Sequence, residues 1–98
     1  MRESQYQAKL IKRIKALFPG CIVLKNDPNY VQGIPDLLVL FEDRWAALEV
    51  KQSELASQRP NQRRYVDQMD SMSFATFIYP ENEEEVLDAL QRSFATRR

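Results

Sequence analysis

Gly33-Ile34-Pro35-Asp36-Leu37-Leu38-Val39-Leu40-Phe41, then Glu42-Asp43-Arg44, then Trp45-Ala46-Ala47-Leu48-Glu49-Val50-Lys51 is the stretch on which the reading of this sequence turns. Residues 36–41 and 45–51 are apolar runs of strand length, and the short polar connection between them makes a hairpin. Side chains alternate faces along a strand, so Glu49 and Lys51 share one face while Leu48 and Val50 take the other. Asp36 opens the first strand, and in a hairpin that position lies beside the end of the second. Three ionisable groups therefore converge at one edge of a sheet.

Whether they share a face depends on register, because a slip of one residue inverts every side chain. If residue i opposes 85 − i or 87 − i, Asp36 faces Glu49 or Lys51; if it opposes 86 − i, Asp36 turns to the wrong side. Either odd sum also gathers Leu37, Val39 and Phe41 with Ala46, Leu48 and Val50 on the opposite face, an apolar set for a helix to cover. The plainer alternative is a surface salt bridge between ordinary strand-end residues, since a lone Glu-x-Lys is common. Two carboxylates roughly 5 Å apart repel by about 3 kcal/mol at an effective dielectric of about 20, and burial makes this worse. A divalent cation would resolve the repulsion. Oxygen donors alone, from Asp36, Glu49 and the carbonyl of Val50, suit Mg²⁺ or Mn²⁺. Such an ion would polarise a phosphate and acidify a bound water, with Lys51 orienting that water or neutralising developing charge.

Outward from the hairpin, Tyr6, Leu10, Ile11, Ile14, Leu17 and Phe18 recur at helical spacing and predict an amphipathic helix over 4–18. Its other face carries Lys9, Lys12, Arg13 and Lys15. Pro19-Gly20 stops it, residues 21–25 read as a strand, and residues 26–35, with two prolines and a glycine, read as loop. Residues 52–58 are a polar connection. Pro60 suits the first turn of a helix running to about Met72 and burying Tyr65, Val66 and Met69. A fourth strand covers 74–79, ended by Pro80. Glu81, Glu83, Glu84 and Glu85 crowd the start of a last helix, where negative charge suits the dipole, and Val86, Leu87, Leu90 and Phe94 form its buried face. That glutamate run is a helix start in preference to a metal site, and the arginine-ended tail after Phe94 is expected to fray. The order is an α/β arrangement around a small mixed four-stranded sheet flanked by helices.

Composition bounds the chemistry. Ninety-eight residues, 44% hydrophobic and 29% charged, make one folded domain spanning residues 1–98. No apolar run would span a bilayer and no apolar signal core follows the amino terminus, so a soluble, cytoplasmic protein is expected, with no membrane partner. The absence of histidine excludes Ser-His and Cys-His hydrolases and the usual zinc sites. Cys21 reads as a small buried apolar residue on a strand. Net charge is zero but segregated: residues 1–28 hold six basic and two acidic groups, and 29–58 hold two and five. A basic helix beside an acidic centre suits phosphate contacts around a metal pocket, and equally an ordinary mixed surface.

Pro35-Asp36, twelve residues, then Glu49-Val50-Lys51, in this element order, resembles the PD-(D/E)XK nuclease superfamily with its restriction-endonuclease-like αβββαβ core, here followed by a last helix. Gly33-Ile34-Pro35-Asp36 together with Arg59-Pro60-Asn61-Gln62 resembles the VRR-NUC family, whose stand-alone phage and bacterial members are similar to Holliday junction resolvases. The resemblance implies a metal-dependent DNA endonuclease, with Asp36, Glu49 and the backbone of Val50 binding Mg²⁺ or Mn²⁺ and Lys51 assisting the attacking water. It also implies a glutamate from the first helix and a glutamine early in the second. Glu3 and Gln62 match these and continue the inward stripes of their helices, although N-terminal charge compensation and a helix-start backbone bond account for them as well. Between the second helix and the last core strand the family often has glycine, where this chain has Asp70-Ser71-Met72-Ser73. Arg59, Arg63 and Arg64, near the expected metal, are the favoured DNA contacts over the lysine-rich face of the first helix. Tyr30 either stacks on a base or covers the core edge. One active site per chain implies a homodimer for cutting a branched substrate such as a Holliday junction. The alternative from another class is a non-catalytic nucleic-acid-binding or interaction module with a nuclease-like fold.

Overall fold

The computed structural model describes residues 1–95, so of the expected frayed tail all but Ala95 lies outside the described residues. The elements run α1 (Glu3–Leu17), β1 (Ile22–Lys25), β2 (Leu37–Phe41), β3 (Arg44–Val50), α2 (Pro60–Met72), β4 (Phe74–Ile78), a 3₁₀ turn (Pro80–Asn82) and α3 (Glu83–Ala95). The four strands form one mixed sheet in the order β1-β2-β3-β4. β1 to β3 are antiparallel, while β4 returns parallel to β3 after the α2 crossover.

The hairpin register is Leu37 opposite Leu48, a sum of 85, which is one of the two odd registers that a metal-binding reading requires. Its turn is tighter than the expected three residues, because Arg44 already pairs with Phe41 and Glu42 takes φ +57°. Leu37, Val39, Ala46, Leu48 and Val50 are fully buried under Tyr6, Leu10 and Ile14 of α1 and Val86, Leu87 and Leu90 of α3. Phe18, Phe41 and Phe94 close the far end of this layer, with ring centroids 5.0–5.6 Å apart. α2 lies alone on the opposite face, over β3 and β4.

That placement explains where the sequence overstated burial. Of the α2 residues expected inside, only Val66 is buried, while Tyr65 and Met69 are half-buried. The β1–β2 side of the face has no helix above it, so Ile22 and Leu24 stay exposed and Leu38 and Leu40 are only partly covered. Cys21 is half-buried and just precedes β1. The turn into β4 is made without glycine: Ser73 caps α2 with φ −154°, and the Asp70 carboxylate accepts the Ala75 N–H at 3.0 Å. No helix among the described residues is long and apolar enough to cross a membrane.

Candidate active site

Pro35 is buried and interrupts the chain just before β2, so Asp36 stands at the strand's mouth, while Lys51 lies one residue beyond the end of β3. Both were expected inside the strands; the ladder stops one residue short at each end. Asn26 fixes this mouth, donating its backbone N–H to the Asp36 carbonyl at 2.8 Å and its side-chain amide to the Pro35 carbonyl at 2.8 Å. The Asp36 carboxylate accepts the Val50 N–H at 3.0 Å.

On the α2 side of the sheet, Glu49 is 3% and Lys51 8% exposed, the two buried charged residues among those described. Lys51 Nζ lies 3.8 Å from Glu49 Oε2 and donates to Gln62 Oε1 at 2.9 Å. Gln62 in turn donates from Nε2 to Glu49 Oε2 at 3.1 Å. Its Oε1 also accepts the Arg59 N–H at 3.0 Å. Helix capping and site contact, alternatives at the level of sequence, are thus both made by this one side chain. The other oxygen of Glu49, Oε1, is buried and has no hydrogen-bond partner.

Desolvation, compounded by the nearby Asp36 charge, pushes the Glu49 carboxyl up to about 8, with Lys51 offsetting part of the rise. Burial also raises Asp36, against the lowering effects of the Val50 N–H and Lys51. Glu3 is exposed at the start of α1, yet desolvation and the Asp36 charge raise its carboxyl too, while Lys51 lowers it. Glu3 therefore feels the charges of Asp36 and Lys51 from an exposed position, with no hydrogen bond to either.

The arginines divide. Arg59 lines a polar cavity of about 230 Å³ that opens beside Asp36, between the 26–35 loop and the start of α2. Gly33 in that loop has φ +92°, and a Cβ there would lie 2.7 Å from Asn61 Cγ, so loop and helix meet across a glycine. Asn61, which shares this wall, had no role in the sequence reading beyond its place in the motif. Arg63 lies 3.6 Å from Asp67 and over the Phe77 ring, and Arg64 over Tyr65; both are exposed. At the first helix, Arg13 pairs with Glu83 and Glu84, and Tyr6 donates its hydroxyl to Glu83 at 2.8 Å. The glutamate run is accordingly a helix start held to α1. Among the described residues no group of three or more His, Cys, Asp or Glu side chains could hold a metal ion, leaving Asp36 and Glu49 as the candidate pair.

A four-stranded mixed sheet with α1 and α3 on one face, α2 on the other and acids at the mouth of the hairpin is a restriction-endonuclease-like α/β fold. A solved structure described as a "VRR_NUC domain" matches it with a TM-score of 0.69 and 27% identity, over 91% of this chain and 94% of that one. The chain is thus similar to a VRR-NUC domain over nearly its whole length, in line with the resemblance of its motifs. No family profile matches it, and no curated protein does.

Proposed function

We propose that this chain is a single-domain, Mg²⁺- or Mn²⁺-dependent DNA endonuclease that hydrolyses phosphodiester bonds at Asp36, Glu49 and Lys51 and selects branched DNA such as a Holliday junction. Likeness to a VRR_NUC domain supports a nuclease-type function in general. The observation that carries the finer reading is the Glu49 carboxylate: buried, beside a second acid, and with Oε1 unpartnered. Lys51 and Gln62 engage only Oε2 of this acid, so its burial beside Asp36 remains costly, and a hard cation is the group that offsets it.

Asp36 and Glu49 would hold the ion, with the Val50 carbonyl as a third donor. The 85 register carried two residues beyond Leu37–Leu48 sets Val50 opposite Pro35, which has no N–H to engage that carbonyl. When bound, the ion would polarise the scissile phosphate and acidify water. Lys51, positioned by Gln62, neutralises charge developing on the phosphate, and Glu3 adds negative potential at the rim. Arg59 is the foremost phosphate contact because it lines the cavity at Asp36, with Arg63 and Arg64 further along the same helix.

Cutting a junction symmetrically needs two sites, hence two copies. Ile22, Leu24 and Met72, exposed at 55%, 44% and 63%, extend an apolar strip with Leu38, Leu40 and Trp45 up to the open edge of β1. Pairing β1 with β1 of a second copy would continue the sheet and cover the strip in both.

Incubation with a four-way junction and a linear duplex, in Mn²⁺, in EDTA, and as Lys51→Ala, tests the proposal. Metal-dependent cutting is expected, reduced by about 10²–10³-fold in the variant. Binding without cutting under every metal tried would instead favour the non-catalytic module.

A further inference from the structure

The most exposed large apolar side chains among the described residues are Leu55, at 90%, and Tyr30, at 87%. Lone exposed apolar side chains are ordinary on a protein surface. These two share a place: Tyr30 lies in the 26–35 loop that delivers Asp36, and Leu55 in the 51–59 loop that leaves Lys51. Both loops stand at the end of the sheet that carries the acid cluster.

Each side chain is also carried on a hydrogen-bonded turn. The Asp27 carbonyl accepts the N–H groups of Tyr30 at 3.1 Å and Val31 at 3.3 Å, and the Asp27 carboxylate accepts the Asn29 N–H at 2.9 Å. The Ser53 hydroxyl accepts the Leu55 N–H at 3.2 Å, its carbonyl accepts the Ala56 N–H at 3.2 Å, and the Glu54 N–H reaches the Glu81 carboxylate at 3.2 Å. Their exposure therefore belongs to built turns. At 87% exposure Tyr30 covers no part of the core, which removes one of its two sequence-level readings. The polar cavity beside Asp36 lies between the two loops' ends, lined by Pro28, Asn29 and Gln32 of the first loop and by Arg59, where the second loop ends.

We infer that Tyr30 and Leu55 are the side chains through which this protein distinguishes DNA with unstacked bases from continuous duplex, Tyr30 stacking on an exposed base and Leu55 wedging beside it. The inference rests on the nuclease reading above. Arginine contacts to phosphate do not discriminate among DNA structures by base, so selection needs groups that meet the bases themselves. Duplex stacking closes the base faces. A branch point opens them to an aromatic platform and to an apolar wedge, the two kinds of side chain found here.

The test compares binding in EDTA, and cleavage in Mn²⁺, of a four-way junction carrying 2-aminopurine at the branch and of a duplex of the same sequence. Tyr30→Ala lowers the junction-to-duplex affinity ratio about tenfold and abolishes the quenching of 2-aminopurine, whereas Tyr30→Trp retains both. Leu55→Ser gives a smaller drop in the ratio, and thermal melts establish that each variant is folded. An unchanged ratio in the double variant, equal loss on both substrates, or a wild-type protein without junction preference overturns the inference. Metal-dependent cutting with an insensitive ratio removes this inference alone; a wild-type protein that neither binds nor cuts DNA removes the nuclease reading with it.

Discussion

The two faces of the β3 strand carry opposite chemistry. Leu48 and Val50 face α1 and α3 in a layer closed by aliphatic and aromatic side chains, whereas Glu49 and Lys51, their immediate neighbours, face α2 in a layer left incomplete. The closed face anchors the strand. Because that anchoring does not depend on the other face, the second face can hold two buried charges, one oxygen of which is unpartnered. Stability and chemistry are therefore separated by a single step along the backbone.

Neighbouring substitutions sharpen this contrast most. Glu49→Gln lowers metal-dependent cleavage by about 10²–10³-fold, yet in metal-free buffer at pH 8.5 its urea midpoint equals or exceeds that of the wild type, since the buried charge is gone. Leu48→Ala, on the closed face, costs about 2–5 kcal/mol in the same urea titration. If Glu49→Gln proved as destabilising as Leu48→Ala, the separation of the faces would be wrong.

A pH series is the next largest effect. The Glu49 carboxyl is raised from 4.5 to about 8 in the folded protein, so between those values the folded state binds the extra proton. Metal-free stability therefore falls as pH rises through that window and levels above it, with Asp36 and Glu3, raised by burial as well, acting in the same sense. Thermal melts at pH 5 and 8.5 measure the slope; Mn²⁺, which favours the ionised form, flattens it, as does Glu49→Gln. The smallest effect belongs to the closed face: Tyr6→Phe removes the hydroxyl donated to Glu83 and costs about 1–2 kcal/mol by urea unfolding.

The hairpin was legible in the sequence because alternation leaves few choices: only an odd register buries Leu37, Val39, Ala46, Leu48 and Val50 together, and the same register brings Asp36 opposite Glu49. The stripes of α1 and α3 were legible for the same reason, each being long and strongly periodic. The shortfall came where two elements distant in the chain must meet. An amphipathic stripe on α2 tells which side faces inward but not how much sheet lies beneath it, so Tyr65 and Met69 were placed too deep. Arg13 reads as part of a solvated basic face until α3 is laid against α1 and brings Glu83 and Glu84 to it. The approach of Asn61 to Gly33 leaves a glycine as its only trace in sequence.

Gln62 carries a consequence for local stability. One amide oxygen closes the first turn of α2 by taking the Arg59 N–H and also receives the Lys51 ammonium, while the amide nitrogen steadies Glu49. Fraying of that single helical turn and disarming of the acid–lysine pair are thus the same event. The geometry of the acid–lysine pair therefore follows the opening equilibrium of one turn, a far softer threshold than global unfolding, so whatever clamps the amino end of α2 also holds Lys51 and Glu49 in place.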